Sequence, residues 1–464
     1  MDETGIVKSL QDIVGVKDVI YSKEKLENYS HDEFPLPDFN TFPAAAVRPR
    51  NPQEVSAILK LANKEKIPVT PRGGGTGLCG ACVPSKNGIV ILFDNLNKVL
   101  EVDTANLMVT AEAGVMLKDL YVPIEKQGLF FPPHPGDETA MVGGVIATNA
   151  GGSRAVKNGT IRNFVRGLEV VLPQGDIINI GGKFIKNSTG FSLLNLFVGS
   201  EGTLGIITKA VISLFPIPKA ASTLIVPYDS VHDAINTVPQ IIKERVLPLA
   251  VEFIEADAIE LTEKYLERQW PVKNGKAFLL ILLDGATEEE LDKHCEGIAS
   301  ICLKNNAKDV FIADGKAKQK EILDFRSRMY EALKPNCVET LDIAVPRSEI
   351  TNHVEAVHRI EAQYGIWLPT YGHAGDGNVH THIMKFSTSG GAINKDWKKI
   401  YPVVRRLIHE DAKNRGGMIS GEHGVGLVKK EYLEEFLGPR QVELMRSIKA
   451  VFDPNNILNP GKIF

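Results

Sequence analysis

Three glycine-rich loops, each flanked by apolar segments in the first 205 residues, constrain this chain more than any other feature. They are Pro71-Arg72-Gly73-Gly74-Gly75-Thr76-Gly77, the run from Gly143-Gly144 to Asn149-Ala150-Gly151-Gly152, and Gly199-Ser200-Glu201-Gly202-Thr203-Leu204-Gly205. Glycine tolerates positive φ and has no side chain to block approach, so such loops let backbone N–H groups converge on an anion. One loop alone reads more readily as a turn; three in one region point to a large phosphate-bearing cofactor. The usual nucleotide signatures are missing. No G-x-G-x-x-G stands between a strand and a helix with an acid about twenty residues on, and no glycine loop ends in Lys followed by Ser or Thr.

A chain of 464 residues, 43% hydrophobic and 24% charged, is globular and longer than one hydrophobic core usually serves. Its net charge of −4 gives no basic footprint for nucleic acid. The longest apolar run, Ala277–Leu283, is too short to span a bilayer, and the first ten residues carry Asp2 and Glu3 without an apolar core. Five cysteines fit a reducing compartment, so a soluble, cytoplasmic protein is expected.

Patterning then sets the organisation. Asn51-Pro52 before apolar Val55, Ile58, Leu59 and Ala62 predicts a capped amphipathic helix, and Ile67–Thr70 a strand entering the first glycine loop. Leu168–Leu172 and Ile177–Ile180 read as a hairpin turning on Gly175, and Gly205–Phe215 as a strand closed by Pro216 and Pro218. Beyond those prolines, strands at 222–227, 249–254 and 277–284 alternate with helices, the third helix opening on a Thr287/Glu290 capping box. This alternation predicts an α+β domain with helices on one face of an antiparallel sheet. The stretch from 411 onward reads as irregular. The expected division is 1–218, 219–410 and 411–464.

The densest chemistry lies at Tyr371–His382, where three of the 11 histidines, His373, His380 and His382, fall within ten residues. His380 and His382 are two apart in a predicted strand and share a face. A Gly-Asp-Gly turn after His373 folds it back beside them. Neutral imidazoles so grouped suit a divalent metal, and Ser420-Gly421-Glu422-His423-Gly424 offers an oxygen ligand. Cys79-x-x-Cys82 has no partner pair and is read as part of the first loop.

The glycine loops, together with Phe131-Pro132-Pro133-His134-Pro135-Gly136 and Phe197–Gly205, resemble the two-part FAD-binding domain of the vanillyl-alcohol-oxidase type. The C-terminal half is similar to that of its D-2-hydroxy-acid branch, which includes D-lactate dehydrogenases, the glycolate oxidase flavin subunit and D-2-hydroxyglutarate dehydrogenase. The resemblance implies FAD held by Pro71, Arg72, Gly73, Gly74, Gly75, Thr76, Gly77, Pro135, Gly136, Gly143, Gly144, Ala147, Asn149, Gly151, Gly152, Gly199, Glu201, Gly202, Gly205, Ile206, Ile207 and Asn459. Ile206 and Ile207 would contact adenine, and the tail around Asn459 would return toward the flavin. Relatives with covalent flavin carry a histidine in the first loop where this chain has Thr76-Gly77, so non-covalent FAD is expected. His134 replaces a common aspartate and Phe191 a common tyrosine.

By the same resemblance, His373, His380 and Glu422 hold one divalent ion (Zn, Fe or Mn), His423 is the base, and Arg326 takes the substrate carboxylate with Tyr330 nearby. His382 is a further ligand or a substrate donor. Thr340 stands where dicarboxylate-using relatives carry a lysine, which favours a short monocarboxylate. The expected reaction is FAD- and metal-dependent oxidation of a D-2-hydroxy acid, D-lactate to pyruvate first, glycolate or D-2-hydroxyglutarate next. Electrons would pass from flavin N5 to a separate acceptor, an electron-transferring flavoprotein or an iron–sulfur subunit. A non-redox flavoenzyme and a flavin electron-transfer subunit are the rival classes.

Overall fold

Asn51 and Pro52 begin a helix as their chemistry requires. Asn51 Oδ1 accepts from Glu54 N at 2.8 Å, and Pro52 occupies the first turn, where its missing N–H costs nothing. The helix, Pro52–Glu65, buries Val55, Ile58, Leu59 and Ala62 and links two parallel strands, Ala45–Val47 and Val69–Arg72, with Ile89–Leu92 between them. Ile89–Leu92 is buried at every position, as a parallel strand covered on both faces must be. The computed structural model, which describes residues 2–244, 246–313 and 315–464, divides into two compact units. The first comprises Met1–Gly151, Thr160–Ile217 and Glu422–Phe464; the second comprises Gly152–Gly159 and Pro218–Gly421.

The first unit adds a five-stranded antiparallel sheet in the order Val99–Asp103, Met108–Glu112, Ile206–Ser213, Val165–Val171, Ile177–Gly181. The last two form the predicted hairpin, Leu168 opposite Ile180, with Gly175 at φ +89 in the turn. The short helix Val142–Thr148 lies against this sheet, because a Cβ on Gly143 would stand 2.7 Å from Ala113 Cβ.

The second unit is built on a seven-stranded antiparallel sheet. Its order is Phe311–Ile312, Ala220–Tyr228, Ala277–Gly285, Ala250–Glu255, Thr370–His373, Asn378–Met384, Cys337–Ala344. Helices cover both faces, which corrects the expectation of one. Ile225, Phe278, Leu280 and Ile254 pack with Ile259, Ile322, Phe325 and Met329 of the helices Ala256–Leu266, Gly315–Ser327 and Met329–Leu333. On the opposite face, Tyr228 Oη donates to Thr237 Oγ1 of the helix Val231–Lys243 at 3.2 Å. The cause is the interior strand Ala277–Gly285, apolar at both parities and buried from Ala277 to Leu283.

Three smaller points also differ from the sequence reading. Glu290 N donates to Thr287 Oγ1, but the Glu290 carboxylate accepts from Ala286 N, so the reciprocal half of the capping box is shifted by one residue. Residues 152–159 and 411–421, expected in the first and last segments, lie in the second unit. The C-terminal region is not irregular throughout, since it forms the helices Lys430–Leu437 and Pro439–Phe452. Among the described residues no helix is long and apolar enough to cross a membrane.

Candidate functional site

In the first unit the glycine loops enclose a cavity of about 320 Å³. Of the expected cofactor residues, Pro71, Gly73–Gly77, Pro135, Gly136, Gly143, Gly144, Ala147, Gly151, Glu201, Gly202, Gly205, Ile206 and Ile207 line it. At Gly136 and Gly144 nothing lies within 4 Å of where a Cβ would stand, so the missing side chains are what keep the cavity open. A cradle of this kind, with Gly202 at φ +69 turning under it, fits an extended phosphate-bearing cofactor.

Five expected residues are elsewhere. Arg72 turns away to the carbonyls of His31 and Asn28 and to Cys82 Sγ. Asn149 caps a helix in the left-handed region and accepts from Arg162 N at 3.0 Å. Gly199 lies against Arg162, and Asn459 is a buried clamp donating to Ala81 O at 2.8 Å and Glu201 O at 2.7 Å. Gly152 belongs to the second unit. The sequence reading missed the apolar lining, Leu78, Phe93, Met141 and Val145 among it, because single apolar residues beside a glycine loop read as ordinary core.

Glu422 and His423 also line this cavity. The buried Glu201 carboxylate holds their segment by accepting from Val425 N at 2.7 Å and Gly426 N at 2.8 Å. Burial raises the Glu201 pKa, and those two N–H groups oppose the rise. Cys79 Sγ donates to His423 O at 3.1 Å, and burial pushes the Cys82 thiol up to about 11. Both cysteines are therefore protonated thiols at neutral pH, as suits the reading of Cys79-x-x-Cys82 as loop structure.

In the second unit, strand register assembles the histidines. Glu252 pairs with His373, Tyr371 with His380, His380 with Asp342, and Thr340 with His382, so all present one face. His373 Nε2 and His380 Nε2 approach to 3.3 Å. Two nitrogens bound to one tetrahedral ion at 2.0–2.1 Å are also about 3.3 Å apart, so this donor pair fits a divalent metal. His373 Nδ1 donates to Glu252 Oε1 at 2.5 Å. Burial drives the Glu252 pKa up, but the charges of His373 and Arg326 outweigh it and hold the group below the usual range, ionised. A carboxylate only accepts, so Nδ1 carries the proton in this contact and Nε2 is the atom turned toward His380.

Arg326 ends the helix Gly315–Ser327, puts Nη2 2.6 Å from Glu252 Oε2, and lies over the Tyr371 ring at 4.5 Å. Tyr330 stacks at 6.0 Å on His382, whose Nδ1 is 3.0 Å from Thr340 Oγ1. Arg328 is half-exposed and pairs with Asp324 at 3.1 Å, away from this cluster. Asp342 accepts from Asn378 Nδ2 at 2.8 Å and Ser420 Oγ at 2.7 Å. Glu252 was missed, although a signal existed: it is an acid inside the apolar strand Ala250–Glu255, where its neighbours Val251 and Phe253 are wholly buried.

Comparison with known proteins identifies the family. Residues 43–181 match the model of the FAD binding domain, and residues 217–463 that of the FAD linked oxidases, C-terminal domain. The chain is 48% identical to a D-lactate dehydrogenase of Archaeoglobus fulgidus, covering 90% of each chain. It is 41% identical to glycolate oxidase subunit GlcD of Bacillus subtilis, covering 94% of this chain and 92% of the other. Among solved structures it shares the fold of p-cresol methylhydroxylase, at a TM-score of 0.81 and 17% identity over 99% of this chain and 96% of that one. The chain has the two-part FAD-binding fold and an antiparallel α+β domain, and it belongs to the FAD-linked oxidase family as an FAD-dependent oxidoreductase.

Proposed function

We propose that the chain oxidises a D-2-hydroxy acid, D-lactate to pyruvate first among them, with non-covalent FAD and one divalent metal. One observation carries the reading: Arg326, held by Glu252 from a helix against the sheet, stands beside the sheet face on which two imidazoles converge and Thr340 meets His382. Arg326 offers a fork matched to one carboxylate. Thr340 and His382 bring no second fixed cation, which favours a monocarboxylate over a dicarboxylate. The curated relatives named D-lactate dehydrogenase, at 48% and 41% identity, point the same way.

In this reading His373, His380 and Glu422 are the metal ligands, with His382 a further ligand or a substrate donor. His423 is the base that takes the hydroxyl proton, a contribution on the order of 10²–10⁴ in rate. When bound, FAD supplies the hydride acceptor and a divalent ion the Lewis acidity that eases loss of the hydroxyl proton. Electrons then pass to a separate protein, an electron-transferring flavoprotein or an iron–sulfur subunit.

The test is anaerobic. Protein containing FAD and metal is mixed with D-lactate, L-lactate, glycolate or D-2-hydroxyglutarate while flavin absorbance is followed. Bleaching by D-lactate and not by its enantiomer is the expected result. No bleaching by any of the four overturns the hydroxy-acid reading, and bleaching by glycolate or D-2-hydroxyglutarate alone replaces the substrate.

A further inference from the structure

Glu252 does two jobs at once. Its Oε1 accepts from His373 Nδ1 and its Oε2 from Arg326 Nη2, and the side chain is 2% exposed. It lies on Ala250–Glu255, directly opposite His373 in the adjoining strand, so backbone register fixes its reach. Arg326 arrives from a helix whose Ile322 and Phe325 are packed in the core beneath the sheet.

We propose that Glu252 is a positioning residue that ties the metal-ligand histidine to the substrate-binding arginine through its two oxygens. This rests on the roles given above to His373 and Arg326. One oxygen sets the His373 tautomer, so that Nε2 is the lone-pair nitrogen facing His380. The other holds one edge of the guanidinium and leaves its remaining N–H groups for a carboxylate ligand.

The amide of Glu252→Gln separates these jobs. It has one acceptor oxygen where the carboxylate has two. The charged Arg326 takes that oxygen, and the NH₂ then faces His373 Nδ1. To accept from it, the imidazole moves its proton to Nε2 and loses the ligating lone pair. Glu252→Asp keeps two acceptors on a stem one methylene shorter.

The experiment measures Zn²⁺ and Mn²⁺ affinity by competition with a chelator, on full-length FAD-loaded wild type, Glu252→Gln and Glu252→Asp, with bound FAD and thermal midpoint as the control for folding. Loss of such an outer partner typically costs 10–100-fold in metal affinity. The expected order is wild type, then Asp, then Gln, with Gln at least about tenfold weaker than wild type. Wild-type affinity in folded Glu252→Gln, or Asp no better than Gln, overturns the proposal. If Glu252→Gln does not fold, Glu252→Asp decides: weaker binding supports the proposal and unchanged binding overturns it. A wild type that binds neither metal fails in the control row, which identifies the failure as that of the metal-dependent reading, and the proposal falls with it.

Discussion

Arginine and lysine carry the same charge, but only arginine can hold Glu252, cover the Tyr371 ring and still offer a fork to a ligand. Arg326→Lys keeps one of those three contacts. A hydrogen bond to a charged group is worth about 1.5–3 kcal/mol, so KM for the 2-hydroxy acid should rise roughly tenfold to a hundredfold. Steady-state kinetics with an artificial electron acceptor reads this, and unchanged KM would remove Arg326 from substrate binding. Lys462 gives a test by pH. Burial holds its pKa down, at about 8, against an ordinary 10.5. Between those values the unfolded chain keeps a proton that the folded protein has lost, so this group adds stability as pH rises through that window. Denaturant midpoints of wild type minus Lys462→Met should therefore shift toward wild type from pH 8 to 10; a flat difference refutes the shift. At this scale the histidines were legible because three imidazoles at short spacing are improbable by accident. Glu252 was not, because a lone acid in a strand reads as a solvated face until its flanks are known to be buried.

Two neighbouring glycines in the helix Val142–Thr148 should fail in opposite ways. A Cβ on Gly143 would meet Ala113 Cβ at 2.7 Å, so Gly143→Ala must push the helix off the strand Met108–Glu112. Overpacking of this kind costs about 1–3 kcal/mol. At Gly144 a Cβ meets nothing within 4 Å, but the position lines the cavity. Gly144→Ala should leave apoprotein stability unchanged or raise it by about 0.5–1 kcal/mol through helix propensity, while weakening FAD retention. Apoprotein melting and FAD titration separate the two; equal melting temperatures for both variants would discredit the packing argument. The elements that sequence reading found share strong local signals, as in Pro52–Glu65 with its Asn51 cap or the hairpin around Gly175. Those it missed had signals with two meanings. Ala277–Leu283 reads as a strand and is one, but the helices on its second face were missed, although an unbroken apolar run of that length marks a strand covered on both faces. The stretch from 411 reads as irregular, but within it Pro439 opens a helix at the first turn behind Gly438 at φ +82.

Each of the two units has its own principal sheet, and the candidate site residues divide between them. The cavity lining, Glu422 and His423 included, belongs to the first unit, and Arg326 with His373, His380 and His382 to the second. The loops could be assigned to one cofactor from sequence because each carries its own glycines. The histidine face could be assigned only in part, since it depends on pairing across four strands drawn from 250–255, 337–344, 370–373 and 378–384. No local pattern gives that register. The division itself has a measurable consequence. A ligand that binds only the folded form of one unit stabilises that unit by RT ln(1 + [L]/Kd), about 2.7 kcal/mol at a hundredfold excess over Kd. FAD added to apoprotein should thus slow hydrogen exchange in the first unit by up to about a hundredfold where exchange follows unfolding of that unit. The slowed amides should be those of 73–77, 143–151 and the strand Ile206–Ser213. Exchange in Ala277–Gly285, an interior strand of the second sheet, should change far less. Equal slowing in both strands would mean that the two units open as one cooperative body, and no slowing in 73–77 or 143–151 would place FAD outside the glycine cradle.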